Sequence, residues 1–179
     1  MPTWIGLLRG VNVGGKNRMS MAQLTELLKS IGCTDVQTYI QSGNVVLGSR
    51  LKSKASLSHR IVDAIEEVFR FRPHCLLLRP TEFRSAVENN PFSEAMADPK
   101  SLHFFFLDST PENPDLDAIE RLATESERYQ LIGEVFYIHA PEGIGRSKLA
   151  ATAEKKLGVP TTARNYNTVA ALSRLLSNG

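Results

Sequence analysis

The chain has 179 residues and lacks any long hydrophobic run. No apolar stretch reaches the roughly 18 residues that a membrane-spanning helix needs. The first apolar stretch, Trp4–Leu8, is short and is followed at once by Arg9. It is therefore expected to be a buried strand rather than a signal peptide, and we expect no membrane partner.

Cysteine is also scarce, with only Cys33 and Cys75 in the whole sequence. The two lie far apart, so the spacing of a metal-binding or redox motif is missing. Because no export signal is evident, two free thiols in a cytoplasmic protein are the expectation, with one structural disulfide as the alternative. The four histidines are scattered as well, and we expect no metal and no cofactor.

Low-complexity tracts are absent, and 42% of the residues are hydrophobic. That share is enough for a packed core and argues against disorder. A chain of this length is expected to form one ordinary domain or two small, closely packed ones. The sequence leaves the oligomeric state open.

The net charge is only +2, but its distribution along the chain is uneven. Residues 1–60 contain eight Lys/Arg and two Asp/Glu, a net +6, whereas residues 61–140 contain seven and fifteen, a net −8. Residues 141–179 contain six and two, a net +4. If the two basic ends meet in the fold, they form a positive surface suited to an anion. The alternative is that they neutralise the acidic middle.

The pattern of residues 1–80 predicts the order β-α-β-β-α-β, a first half that is ferredoxin-like. Ser20 and Gln23 form a capping box before the first helix, and Gly32 ends it. Ser42-Gly43 signals a hairpin between two short strands. The remaining markers are the strands 35–40, 44–47 and 74–78 and the second helix, with Leu57, Ile61, Ile65 and Val68.

Residues 81–100 are predicted to form a connecting helix and loop, and residues 101–179 to repeat the first pattern. The expected elements are strand 102–107, helix 116–124, hairpin strands 129–132 and 135–138, helix 147–157 and an added C-terminal helix, 167–176. The two hairpins share tyrosine, glycine and valine at the same offsets: Tyr39, Gly43 and Val45, and Tyr129, Gly133 and Val135. The sequence thus predicts an α+β protein with two tandem, related ferredoxin-like (βαββαβ-type) halves.

One glycine-rich loop resembles a nucleotide-binding motif. Gly10–Lys16 reads GVNVGGK directly after the first strand, but Asn17 stands where a P-loop needs serine or threonine for Mg²⁺. The capping signal also starts the helix at Ser20, too far from Lys16 for its amide groups to reach the phosphate. We therefore expect a turn. One possibility is that its glycines only allow the chain to turn sharply. The other is that the turn presents backbone N–H groups, together with nearby cationic side chains, to an anion.

Three further polar stretches are expected at loops and helix starts. In GIGRSKL, residues 143–149, Ser147 is predicted to cap a helix with Arg146 and Lys148 beside it, where cations are unfavourable unless an anion is present. In TARNYNTV, residues 162–169, Asn167 is expected to cap the last helix. Residues 41–44, QSGN, are expected to form a hairpin tip.

These stretches together carry a family resemblance. LLRGVNVGGKNRMSM, YIQSGNVV, GIGRSKL and TARNYNTV occur in this order, with Asn90-Pro91-Phe92 between them. The whole chain thereby resembles the domain of unknown function 1697 family of mainly bacterial proteins. The resemblance implies an α+β fold with two related ferredoxin-like halves. It implies no reaction, substrate or ligand.

The candidate ligand-binding residues are basic or amide side chains on predicted loops and helix starts, where functional groups tend to lie. Paired carboxylates, a metal cluster and a serine with an evident base are all missing, so no catalytic residue is assigned. Arginine and asparagine hold ligands and stabilise oxyanions more often than they act as nucleophiles or bases. The set is Arg9, Asn12, Lys16, Arg18, Asn44, Arg146, Lys148, Arg164, Asn165 and Asn167.

Three functions are compatible with this set. The first is an anion-binding module whose partner is a nucleotide, a phosphorylated metabolite or a nucleic-acid backbone. The second is an enzyme acting on a phosphorylated or acyl substrate. Lys16 or Lys148 would be its electrostatic catalyst, Arg146 or Arg164 its clamp, and Asp108 the best available candidate for an acid or base. The third is a structural or interaction protein whose basic ends dock on an acidic partner or on the acidic middle of a second copy of the chain. Because only 7% of residues are aromatic, sequence-specific RNA recognition by base stacking has little support.

Overall fold

The computed structural model describes residues 1–177, which form eight strands and six α-helices. The strands make two four-stranded antiparallel sheets. The expectation of an α+β protein with a C-terminal helix is therefore confirmed. The chain divides into two compact units, one of residues 1–85 with 171–177 and the other of residues 86–170.

The first unit contains one sheet with the strand order β2-β3-β1-β4. Two helices pack on one face of this sheet, around a core that includes Trp4, Leu8, Leu28 and Ile61. Its elements are β1 (Thr3–Arg9), α1 (Met21–Ser30), β2 (Thr34–Tyr39), β3 (Asn44–Gly48), α2 (Lys54–Phe69), β4 (His74–Leu78) and α3 (Pro80–Glu88).

Local signals set the boundaries of α1 as the sequence indicated. The Ser20 hydroxyl accepts a hydrogen bond from the Gln23 amide (3.1 Å), and the Gln23 side chain accepts one from the Ser20 amide (3.0 Å). This reciprocal pair is the predicted capping box and satisfies two N–H groups that the helix leaves without partners. The chain leaves the helix through Gly32, which has a φ of +89°. The predicted start and end of α1 are both confirmed.

The second unit contains a sheet with the order β6-β7-β5-β8, which is the order of the first sheet repeated. Its core packs Phe105, Phe136, Ile138 and Leu149 between the sheet and two helices. Its elements are β5 (Leu102–Leu107), α4 (Leu116–Leu122), β6 (Arg128–Ile132), β7 (Val135–His139), α5 (Lys148–Leu157), β8 (Thr161–Asn165) and the start of α6 (Tyr166–Ser177). Two short 3-10 turns, Ser93–Ala97 and Ile144–Arg146, complete it.

The polar run near the C-terminus corrects the sequence analysis, which did not predict a strand there. Residues Thr161–Asn165 form β8, which pairs antiparallel with β5. The run has little apolar periodicity, so its strand conformation depends on the partner strand rather than on its own sequence. The cap of α6 is also Asn165 rather than Asn167, because the Asn165 side-chain oxygen accepts from the Thr168 amide at 3.1 Å. Asn167 is exposed within the helix.

Candidate functional site

The glycine-rich loop after β1 is a miniature hairpin and not a P-loop. Val13 and Lys16 pair as an antiparallel bridge, and the Lys16 amide donates to the Val13 carbonyl at 3.0 Å. Gly14 and Gly15 between them have φ values of +57° and +75°. Positive φ at both central residues defines the tight turn that glycine favours. Because α1 begins only at Met21, no helix starts where a P-loop would need one.

Asn12 fastens this hairpin to two other segments. Its side-chain amide donates to the carbonyls of Met19 and Gln41, each at 2.7 Å, and its side-chain oxygen accepts from the Met19 amide at 2.8 Å. Its φ is +55°, a left-handed conformation that asparagine tolerates better than most residues. The hydrogen bonds of Asn12 thus connect the hairpin to the segment before α1 and to the β2–β3 turn.

Asn44 and Gly43 hold the β2–β3 turn against β1. Asn44 is fully buried, and its side chain donates to the Tyr39 carbonyl (3.1 Å) and the Ser42 hydroxyl (3.0 Å). Gly43 accepts a backbone hydrogen bond from the Leu8 amide at 2.9 Å. A Cβ on Gly43 would lie 2.7 Å from the Leu8 Cβ. Only glycine therefore allows this close approach, and Asn44 points into the turn rather than toward solvent.

An open cleft lies where the hairpin, the start of α1 and the β2–β3 turn converge. Its volume is about 610 Å³, and we call it the α1 cleft. Arg18 is the cation in its wall, and its Nε donates to the Gly15 carbonyl at 3.2 Å. Neither the wall nor the first turn of α1 contains a carboxylate. The α1 cleft is lined by Asn12, Gly15, Arg18, Met19, Ser20, Gln23 and Gln41.

The other candidates of the first unit lie outside this lining. Lys16 is exposed at the end of the hairpin turn, next to the cleft in sequence. Arg9 is exposed at the end of β1 and faces His74 across the β1–β4 pair. The structure therefore brings Asn12 and Arg18 together in one cleft and places Lys16 in the same loop. Gln23 and Gln41 also line the cleft, but the sequence analysis did not name them as ligand-binding residues. It gave Gln23 a capping role and placed Gln41 in a hairpin tip.

The candidates of the second unit are divided between two helix starts. Arg146 and Lys148 are both exposed and flank Ser147, whose hydroxyl accepts from the Ala150 amide at 3.0 Å and caps α5 as predicted. Arg164 lies on β8, half-buried, and donates to the Ala163 carbonyl at 2.9 Å. Burial lowers the pKa of Arg164 to about 10. Asn165 is occupied as the cap of α6.

The start of α2 repeats the arrangement at the start of α5. Ser53 caps α2 by accepting from the Ser56 amide at 3.3 Å, and Lys52 and Lys54 flank it as Arg146 and Lys148 flank Ser147. Neither helix has an acidic residue in its first turn. The sequence contains this similarity as KSK at residues 52–54 and RSK at residues 146–148. It can be recognised only when α2 and α5 are known to be corresponding helices of the two units.

A second basic cavity of about 350 Å³ lies in the first unit and was not foreseen. Arg50 and Arg60 both line it, together with the hydroxyl-bearing Thr34 and Ser49, and its wall contains no carboxylate. It contributes two of the cations that make residues 1–60 basic. It is the alternative place in the first unit where an anion could be held.

Among residues 1–177, no helix combines the length and the apolar character that crossing a bilayer requires. Two antiparallel sheets with the same strand order and six α-helices place the described chain in the α+β class. The chain belongs to the family described as protein of unknown function (DUF1697), whose profile matches residues 1–137. The family resemblance is thereby confirmed over residues 1–137.

The chain is similar over nearly its whole length to a solved structure. That structure is of the conserved bacterial protein SP0830 from Streptococcus pneumoniae, which is 28% identical. The match covers 98% of each chain with a TM-score of 0.69. No curated protein matches the chain.

Proposed function

We propose that the protein is an anion-binding module and that the α1 cleft is its binding site. The observation that carries the proposal is the cation in the cleft wall beside the start of a helix, with no carboxylate in that wall. The N-terminus of a helix carries a partial positive charge and favours anions. Arg18 adds a guanidinium, which binds phosphate and carboxylate groups through paired hydrogen bonds.

The hairpin gives this cleft a fixed shape. Asn12 ties the hairpin to Met19 and Gln41 through three hydrogen bonds. A binding group held in place in the free protein loses less conformational entropy when a ligand binds. Asn12 and Asn44 therefore act as supports in this proposal. Arg18 is the group that contacts the anion, and Lys16 adds positive charge from the same loop.

The test is thermal unfolding of the purified protein with phosphate, pyrophosphate, ATP, glucose 6-phosphate and a short oligonucleotide. A ligand that binds only the folded state stabilises it, by about 2.7 kcal/mol when it is present at about one hundred times its Kd. We expect at least one of these anions to raise the Tm, and the rise to disappear in the double variant Lys16→Ala/Arg18→Ala. The measurement with the oligonucleotide is repeated at two salt concentrations. Binding through the nucleic-acid backbone falls steeply as the salt concentration rises, which distinguishes it from binding of one phosphate group in the cleft.

The matched control is Lys100→Ala/Lys155→Ala, which removes the same charge from two exposed positions of the second unit. If this control reduces the anion-induced rise in Tm as much as Lys16→Ala/Arg18→Ala does, the rise depends only on the net charge of the protein. The α1 cleft is then not the binding site. If only Arg50→Ala/Arg60→Ala abolishes the response, the anion binds in the second basic cavity instead.

We further propose that both halves of the chain are ferredoxin-like units that arose by duplication. Three features support this: the shared order β-α-β-β-α-β, the shared strand order, and the serine caps flanked by basic residues at Ser53 and Ser147. A protein expressed as residues 86–170 alone tests it. A ferredoxin-like second half with its own core is expected to fold cooperatively, and a noncooperative chain contradicts the proposal.

A further inference from the structure

The first unit contains a further cavity, whose wall includes both an acidic and a basic side chain. It lies on the face of the sheet opposite α1 and α2. Its volume is about 240 Å³, several times the roughly 30 Å³ that one water molecule occupies in the liquid. Its wall includes Asp35, Val46, Gly48, Arg84 and Leu175. We call it the sheet cavity. None of its lining residues belongs to the α1 cleft.

The acidic side of the sheet cavity is formed by an irregularity in β2. The register with β3 shifts between Thr34 and Gln37, so that β2 has one more residue than β3 over this span. Asp35 lies in the bulge with a φ of +51°, in the left-handed region. Bulges of this kind redirect side chains and are over-represented beside binding sites. This one brings Thr34 and Asp35 to the same face of the sheet, over Gly48.

Gly48 leaves the space that these two side chains need. A Cβ on Gly48 would lie 2.6 Å from the Thr34 hydroxyl and 3.5 Å from the Asp35 carboxylate. The Thr34 hydroxyl is buried and has no hydrogen-bond partner in the part of the chain that the structure describes. Asp35 is exposed, and no basic side chain among residues 1–177 forms an ion pair with its carboxylate.

The basic side of the cavity is Arg84 on α3. Its side chain is exposed, and within the described residues it forms neither an ion pair nor a side-chain hydrogen bond. The two opposite charges of the cavity thus share one wall without neutralising each other. A ligand that carries both charges can satisfy the two at once, whereas a simple anion or cation leaves one of them without a partner.

Most of the remaining wall is apolar, although Thr3 and Gln37 also line the cavity. Val46 of β3 is buried, and Leu175 and Leu176 of α6 are half-buried, with Pro80 at the start of α3 beside them. An aliphatic group placed here is removed from water, which stabilises it by about 25 cal/mol for each Å² buried. The cavity therefore combines an anion-binding group, a cation-binding group and an apolar surface.

We propose that the sheet cavity binds a small zwitterion with an aliphatic side chain, of the chemical class of the α-amino acids. Arg84 binds the carboxylate, Asp35 binds the ammonium group, and Val46, Leu175 and Leu176 contact the side chain. This site is separate from the α1 cleft and its ligand differs in charge. The two proposals can therefore fail or succeed independently.

The test is isothermal titration of the full chain with three related probes: L-leucine, L-leucinamide, which lacks the carboxylate, and N-acetyl-L-leucine, which lacks the ammonium group. We expect L-leucine to bind most tightly, and each modified probe to bind about tenfold more weakly, because each loses one charge-assisted hydrogen bond. Arg84→Ala is expected to weaken L-leucine and N-acetyl-L-leucine but to leave L-leucinamide unchanged. Asp35→Asn is expected to weaken L-leucine and L-leucinamide but to leave N-acetyl-L-leucine unchanged.

Asparagine is the right replacement at position 35 because it tolerates a positive φ. Lys155→Ala, which removes a cation in the second unit, is the control for net charge and is expected to bind all three probes as the parent does. Absence of L-leucine binding overturns the proposal. The proposal is also overturned if Arg84→Ala and Asp35→Asn each weaken the binding of all three probes equally. That result would indicate a general disturbance of the fold, because such a disturbance does not distinguish the two ends of the ligand.

Discussion

The side-chain amide of Asn12 donates a 2.7 Å hydrogen bond to the carbonyl oxygen of Gln41, which lies 29 residues further along the chain. This contact joins the glycine-rich hairpin to the β2–β3 turn. Together with the two hydrogen bonds to Met19, it fixes the shape of the α1 cleft. The shape of the proposed binding site therefore depends on a side chain that does not need to touch the ligand.

Replacing Asn12 with alanine is expected to lower the free energy of unfolding by about 1–3 kcal/mol, because two carbonyls and one amide lose their partner. Urea unfolding is the measurement. Asn113→Ala, at an exposed loop position, is the control and is expected to cost much less. If both variants unfold at the parent's urea concentration, Asn12 does not support the loop.

The two hairpin glycines are expected to differ in their tolerance of a side chain. Gly43 has a φ of +78° and lies against Leu8, whereas Gly133 has a φ of +56° and open space where a Cβ would project, with nothing within 4 Å. Gly133→Ala should cost about 1–2 kcal/mol from the left-handed backbone alone. Gly43→Ala should cost about 1–3 kcal/mol more because of overpacking. Equal losses of Tm in the two variants would show that the contact with Leu8 relaxes.

His103 is expected to make stability depend on pH. Burial lowers its pKa from 6.5 to about 4, so the folded state excludes a proton that the unfolded chain binds. The stabilisation is complete above pH 6.5 and is lost as the pH falls toward 4, by about 3 kcal/mol in all. Urea unfolding at intervals between pH 7 and pH 4 measures it.

In His103→Leu the acid decline is expected to be shallower than in the parent protein. His59→Gln, which changes an exposed histidine, is expected to retain the parent's slope. An unchanged slope in His103→Leu would assign the decline to other groups, such as Glu94 and Asp115, whose hydrogen bonds and nearby cations hold the pKa of each carboxyl low.

Tyr137 is expected to stabilise the second unit through one buried hydrogen bond. Its hydroxyl donates to the Ala86 carbonyl at 2.6 Å, and its side chain is fully buried. Burial also raises the pKa of Tyr137 to about 12. Tyr137→Phe should lower the free energy of unfolding by about 1–2 kcal/mol. Tyr129→Phe, a half-buried tyrosine of the same sheet, is the comparison in the same urea experiment and should cost less.

Local signals in the sequence were sufficient where the interacting groups are close along the chain. Ser20 and Gln23 are three residues apart, and their capping box formed as predicted. Ser147 capped α5 for the same reason. In both cases a side chain satisfies backbone groups of its own turn, so nothing outside the segment has to be known.

The strand β8 shows where this reasoning stops. Its residues are mostly polar, and it becomes a strand because β5 offers it a row of backbone partners. The capping role of Asn165 follows from that strand, since α6 starts only where β8 ends. A sequence pattern cannot indicate which distant strand supplies the hydrogen bonds.

The sequence by itself determined the α+β class, the family, the cysteine content and the residues that turn the chain, because these depend on composition and on groups a few residues apart. The tertiary structure decided which polar groups share a cavity. Gln41 reached the α1 cleft through its contact with Asn12. Asp35 and Arg84 came to share the sheet cavity through a bulge and a helix that the sequence places far apart. Such neighbours are set by strand pairing and close packing, which act between residues that are distant along the chain.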